Sequence, residues 1–253
     1  SAGPNNLFHS FSKFDTRTWT AAGDLRFQNG SFKSVFVAVN SFDGTWITVP
    51  VRLNTAANLY LLSPGGINIS GTGSFSNVLN LQLSTATSLR FEGGKVFDVN
   101  TTDVAGLDGN PQGFFTNLEI PGPFNNQNIA ISNGLLVVDA NLLLLDAQAG
   151  SIALFGDILT QGADFWATTD RNFSLAGLLN SSGGDINIRA GGDVSLQSLS
   201  NQGGGLESGG GRITLQSLTG SLSTLDLCGD CGPTNGALSA GLGEILLSSS
   251  GDQ

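Results

Sequence analysis

The sequence predicts an all-β solenoid, a stack of short strands joined by Gly-rich turns. The first observation is a refrain. Ala149-Gly150-Ser151-Ile152-Ala153-Leu154 is followed by Gly183-Gly184-Asp185-Ile186-Asn187-Ile188, then by Gly191-Gly192-Asp193-Val194-Ser195-Leu196 and Gly210-Gly211-Arg212-Ile213-Thr214-Leu215. The tetrapeptide Leu-Gln-Ser-Leu recurs whole at residues 196–199 and 215–218, 19 positions apart, and a strand-and-turn period near ~20 residues marks stacked repeats. The second is alternation of apolar and polar residues nearly everywhere, and the third is the near absence of three- and four-residue apolar spacing.

Taken along the chain, Val35–Val39, Trp46–Leu53, Asn58–Leu62, Val78–Leu83, Ile129–Ile131, Asp164–Thr168 and Asn172–Leu175 read as strands. Pro50 cannot donate a ladder hydrogen bond, so its strand lies at an edge or breaks there. The run from Gly134 to Asp146 is cut by Asp139 and Asn141 and reads as two buried strands joined by a turn. Residues 1–253 form a single domain in three parts. Residues 1–94 are the cap and first rungs, 95–132 a loop-rich excursion, and 133–253 regular rungs. The excursion carries Phe114, Phe115, Leu118 and Ile120 to pack it back on the stack. A first rung exposes a strand edge that invites aggregation, so a solenoid needs a cap. The aromatic-rich start (Phe8, Phe11, Phe14, Trp19, Phe27) fits one, and the Phe8/Phe11/Phe14 spacing suits either a helical face or an irregular cap. The repeat-like end, Gly243–Ser248, has no cap, and the stack is expected to continue beyond Gln253. The start at Ser1-Ala2-Gly3 reads as a processed mature end.

Composition narrows the function classes. Only 12% of the 253 residues are charged and 40% are hydrophobic. The net charge of −10 comes from 20 scattered acids against 10 bases. A nucleic-acid groove needs a clustered basic face, so no nucleic acid is expected. No apolar run reaches the ~18 residues that span a bilayer, so no membrane insertion is expected either. The uncharged polar surface suits a protein outside the cell.

Candidate chemistry is sparse. Cys228-Gly229-Asp230-Cys231 could be a redox pair, half a zinc site or a small disulfide. Zinc needs about four ligands, no second pair exists, and the lone histidine, His9, is far away in sequence. A loop disulfide between Cys228 and Cys231 is therefore the expectation, with free thiols the alternative. His9 would have to serve any Ser-His-Asp or Cys-His set, yet it sits among Phe8, Phe11 and Phe14, where a structural or recognition role fits better. A β-helix lyase or hydrolase needs paired carboxylates on neighbouring rungs or a Ca²⁺ site. Here Asp157, Asp164, Asp170, Asp185 and Asp193 mostly follow Gly or begin strands, and Asp185 and Asp193 read as turn residues bonding their own backbone. Asp103 and Asp108 are the one place where a weakly held cation could sit. No catalytic residue, metal or cofactor is assigned. An adhesive surface would show grouped exposed aromatics, but Trp19, Trp46 and Trp166 are isolated from one another.

Two motifs bring in a resemblance. Pro4-Asn5-Asn6-Leu7-Phe8-His9-Ser10-Phe11-Ser12-Lys13-Phe14-Asp15, followed by Asn58-Leu59-Tyr60-Leu61-Leu62-Ser63-Pro64-Gly65-Gly66-Ile67, is similar to the N-terminal secretion domain of two-partner secretion exoproteins. These are the filamentous haemagglutinin-like TpsA family, and the opening is especially similar to its cyanobacterial branch. In the second motif Ser63 and Gly65 stand where the family carries Asn, while Pro64, Gly66 and Ile67 match. The resemblance implies a right-handed parallel β-helix with an N-terminal β cap and extra-helical β elements. It further implies a monomer that is secreted or displayed at the surface of a Gram-negative-type cell after crossing the periplasm. The expected partner is a TpsB-type outer-membrane transporter with periplasmic POTRA domains, which the chain crosses unfolded. Asn6, Leu7, Phe8, His9, Phe11, Asn58, Pro64, Gly66 and Ile67 are the expected recognition residues. A surface adhesin or carbohydrate-binding β-helix is the alternative, and a polysaccharide-degrading enzyme the more distant one.

Overall fold

A computed structural model describes residues 5–19, 23–117, 127–137, 139–198, 205–226, 237–239 and 242–250. The described part is all-β, 55% strand and 1% helical, and its parallel sheets wind into a β-solenoid of about 8 turns. The first face is a 10-stranded sheet. It runs from Asn6–Phe11 through Ser34–Val39, Val51–Leu62, Phe75–Ser84, Leu142–Ala147, Asp164–Thr169, Ile186–Ala190 and Ile213–Ser217 to Ile245–Ser249, with Leu25–Phe27 paired off the path. The 8-stranded second face begins at Phe14–Asp15 and ends at Leu222–Asp226, and the 5-stranded third face runs from Leu135–Leu136 to Ala237–Ser239.

In-register pairing turns the alternation into columns. One inward column of the first face reads Leu7, Val35, Leu59, Leu81, Leu143, Phe165, Ile186, Ile213, Ile245, one residue per rung. Its neighbour reads His9, Val37, Leu61, Leu83, Leu145, Ala167, Ile188, Leu215, Leu247. Burying one Leu or Ile side chain is worth about 1.5–3 kcal/mol, against about 1 kcal/mol net for a hydrogen bond. The columns therefore drive the stack, while the ladder bonds set its register.

Pro50 breaks its strand. The Trp46–Leu53 run divides into Thr45–Ile47 and the start of Val51–Leu62, with Pro50 between them. Asn58–Leu62 is the far end of that same 12-residue strand, whose pairing with Phe75–Ser84 shifts register around Ala57. The 134–146 run divides as expected into Leu135–Leu136 and Leu142–Ala147, with Asp139 at φ 62° in the turn. Phe8 and Phe11 lie on an extended strand, so the helical-face reading of the Phe8/Phe11/Phe14 spacing is set aside.

The turns use a device beyond glycine. Thr160 Oγ1 donates to the Ala163 carbonyl (2.7 Å), Ser181 Oγ to that of Gly184 (2.6 Å) and Ser208 Oγ to that of Gly211 (2.5 Å). A buried hydroxyl thus closes each corner on the residue three further on. The aspartates behave differently from the expectation that they bond their own backbone. Asp185 Oδ1 accepts from the Arg212 amide (2.7 Å) and Asp193 Oδ1 from the Ser221 amide (2.9 Å), each on the next rung. Asp164 likewise receives the Asp185 amide, and Asn172 the Asp193 amide, both at 2.9 Å. Stacking brings a neighbouring rung's N–H to the carboxylate, a partner that sequence spacing does not show.

After Ser84 the chain leaves the stack, and it is back on the second face at Ile129. Ser88–Phe91 is the centre of a three-stranded antiparallel sheet with Val96–Asp98 and Pro111–Phe115. This extra-helical sheet packs on the outer side of the first three rungs and closes a second hydrophobic core there.

Candidate recognition site

The opening motif is the first strand of the first face. Strand alternation sends Leu7 and Phe11 toward the solenoid interior and Asn6 and Phe8 outward. Phe8 begins an aromatic column with Phe36 and Tyr60 on the next two rungs. The rings stack with centroids 4.9 Å apart for Phe8–Phe36 and 4.6 Å for Phe36–Tyr60. Phe91 lies 5.1 Å from Phe36, and Phe97 lies 5.0 Å from Phe8. The column ends at Gln82 on the rung where the chain departs.

Asn6 ties the far end of the excursion to the first rung. Its Nδ2 donates to the Leu107 carbonyl at 2.8 Å and to the Gly109 carbonyl at 3.1 Å. The next residue, Asn110, donates from backbone and side chain to the two oxygens of Glu92, each at 3.1 Å. Those bonds hold the Glu92 carboxyl below its ordinary range. At the root of the excursion, Ser84 Oγ (2.7 Å) and Gln148 Nε2 (3.0 Å) donate to Asp146 Oδ2, and Thr116 Oγ1 donates to Gln148 Oε1 (2.7 Å). Burial raises the Asp146 carboxyl despite these donors.

His9 occupies an aliphatic column position on the first rung, above which no further strand of the first face is found among the described residues. Its ring lies 5.3 Å from Phe27, its Nε2 has no hydrogen-bond partner among the described residues, and burial lowers its pKa. With Phe11, Phe14, Trp19, Leu25 and Phe27 it lines an end pocket of about 590 Å³. At the rim Asp15 pairs with Arg17 (2.7 Å) and Lys13 (3.5 Å), and the hydrogen bond from Arg17 holds Asp15 far below the usual carboxylate range.

The second motif is a rung and its corner. Asn58 Nδ2 donates to Ser34 Oγ (3.2 Å), and Asn58 Oδ1 receives Asn80 Nδ2 (2.7 Å), so Asn58 is the middle of a polar ladder. The Gly66 amide donates to the Ser63 carbonyl (2.9 Å), Ser63 Oγ returns a bond to the Gly66 carbonyl (2.9 Å), and Gly66 has φ 103°. Thr45 Oγ1 donates to Ser63 Oγ (2.9 Å), joining this corner to the rung before. Pro64, Gly66 and Ile67 are all buried. The two motifs thus occupy the first and third rungs and meet through the Phe8–Phe36–Tyr60 column.

No family model matches this chain. Nor does any curated protein or solved structure match it significantly.

Among the described residues, no group of three or more His, Cys, Asp or Glu is placed to hold a metal ion, and no helix is long and apolar enough to cross a membrane. Asp103 and Asp108 lie on exposed loop, and Asp103 Oδ1 accepts the Ala105 amide at 2.9 Å. Cys228 and Cys231, with Leu118 and Ile120, lie outside the described residues. The expected recognition set omits Phe36, Phe97, Leu107 and Glu92, which complete the site. The sequence carries a signal for Phe36. Val35-Phe36-Val37-Ala38-Val39 is apolar at every position, the pattern of a strand buried on both faces.

Tyr60 allows a pH test of the second core. Burial pushes its phenol up to about 12. The fold therefore holds the proton above pH 10, where the unfolded chain releases it, so stability is level below pH 10 and falls as pH rises from 10 to 12. At about 1.4 kcal/mol per pH unit the loss reaches about 2–3 kcal/mol. Tyr60 is the one tyrosine, so phenolate absorbance reads it directly. The denaturation midpoint should follow that titration, and Tyr60→Phe should flatten the slope.

Proposed function

We propose that this chain is the secretion domain of a two-partner exoprotein, recognised by a TpsB-type outer-membrane transporter through its POTRA domains and folding at the cell surface. The observation that carries the reading is the position of the two motifs. Both lie in the first three rungs of a parallel solenoid, and an extra-helical sheet engages the opening motif directly through Asn6 and Phe8. That arrangement agrees with the β-helix and extra-helical elements that the sequence resemblance implies.

Burial then restricts how such an address is read. Asn6 is 4% exposed, Phe8 8% and Ile67 0%, so a partner that uses these side chains meets them before the chain folds. Recognition of an unfolded chain and burial of the same residues afterwards are successive states of one process. The test is export. Co-expressed with its transporter, the intact domain should appear in the medium, and removal of residues 4–14 should abolish it. Absence of the intact domain from the medium, or unchanged export of the deletion, overturns the reading.

A further inference from the structure

We propose that the excursion over residues 85–117 is a clasp whose closure withdraws the opening motif from a partner, an inference that rests on the secretion reading above. Three observations carry it. The clasp covers the outward half of the motif: Leu89, Phe91, Phe97, Val104 and Leu107 pack over Phe8, Phe36 and Tyr60. It reaches the first rung through Phe97, whose ring lies 5.0 Å from that of Phe8, and through its tip, where the Leu107 and Gly109 carbonyls receive Asn6 Nδ2. Its tip and its root carry polar side-chain contacts, Asn110 on Glu92 and Ser84, Gln148 and Thr116 around Asp146, and the solenoid ladder reaches into the root only as far as the bond from the Thr85 amide to the Asp146 carbonyl, 2.9 Å.

Sequence distance sets the order of closure. Neighbouring rungs bond across 24 residues, as in Asn58 to Ser34, whereas Asn6 and Leu107 are 101 apart. Loop closure grows costlier with separation, so near contacts form before far ones. The first three rungs therefore stack before the clasp can shut, leaving for a time a continuous stripe of Asn6, Phe8, Phe36 and Tyr60. An exposed aromatic stripe bordered by an amide donor is a docking surface for an apolar partner strand or edge that offers carbonyls. The clasp supplies those same contacts once it closes. It thus competes with the partner for one surface, so a chain that folds before export loses its address.

The experiment leaves the address residues intact. Leu107→Ala removes the buried anchor of the tip, and Asn110→Ala, a milder variant, removes only the side-chain bond from Nδ2 to Glu92 Oε1 and keeps the one from the backbone amide. Hydrogen exchange is followed at residues 6–11 and 88–98, with 152–155 and 173–176 as internal references. Both variants should raise exchange at the first two segments, by at least about tenfold for Leu107→Ala, and leave the references unchanged. Binding is then measured to the purified POTRA domains of the transporter that exports the domain. Folded wild type should not bind, the folded variants should, and all chains should bind when unfolded. Unchanged exchange at residues 6–11 in Leu107→Ala overturns the clasp. Equal binding by folded wild type and variants overturns the gate while leaving the secretion reading standing. Binding by no form, unfolded chains included, overturns the gate and the secretion reading together, while the exchange data still report on the clasp.

Discussion

Phe36→Ala should lower stability by about 3–5 kcal/mol, the cost of emptying a fully buried aromatic site that cannot collapse. Phe36 is 0% exposed and touches Phe8, Tyr60, Phe91 and Phe97, so it joins its own strand to four others in the second core. The loss should be local. Solenoid rungs couple mainly to their neighbours, and Phe36 lies outside the central stack that holds Phe165 and Phe173. Urea unfolding followed by hydrogen exchange should show protection lost at residues 6–11, 34–39 and 88–98 while residues 152–176 keep theirs. Phe36→Leu, which refills most of the volume, should restore more than half of the loss. A deficit under about 1 kcal/mol would mean that the second core contributes little and that the extra-helical sheet is held by its polar ties.

Gly65→Ala should be as damaging, by steric exclusion instead of a cavity. A Cβ at Gly65 would stand 2.1 Å from the Ser41 carbonyl oxygen and 2.6 Å from the Gly44 nitrogen, both backbone atoms of the preceding corner. Side chains can rotate away from such a contact, but a stacked backbone corner cannot. Thr45 Oγ1 and Ser63 Oγ, 2.9 Å apart, further bind the two corners. Overpacking of this kind costs about 1–3 kcal/mol and more where backbone must shift. Here it must, so a loss of at least about 3 kcal/mol is expected, with lower soluble yield. Gly93→Ala is the control for glycine replacement in general: a Cβ there meets open space, and its φ of 76° adds only local strain. If denaturant midpoints show Gly65→Ala no worse than Gly93→Ala, the close stacking of these corners is not what the chain depends on.

Much of this architecture was legible in the sequence. Gly-Gly corners and period-2 strands pointed to the solenoid, Pro50 to a break, and Asp139 to a turn. Those signals are local, because each follows from what one residue does to its own backbone. The partners of Asp185, Asp193 and Asn6 were not legible. Asp185 bonds a residue 27 positions away and Asn6 one 101 positions away, distances set by the number of residues in a whole turn or in the excursion. The clasp belonged to the same blind spot. Ser88–Phe91 reads like any rung strand, and only its antiparallel pairing removes it from the stack.

By itself, then, the sequence determined the class of fold, its Gly-rich corners and the alternation of its strands, because propensity and alternation act over a few residues. Which surfaces the columns face was decided by tertiary structure. Phe8 and Phe11 share a strand and a residue type, yet one packs under the clasp and the other in the solenoid. The physical reason is that a strand has two sides, and alternation states only that they differ. What covers each side depends on chain that arrives about a hundred residues later.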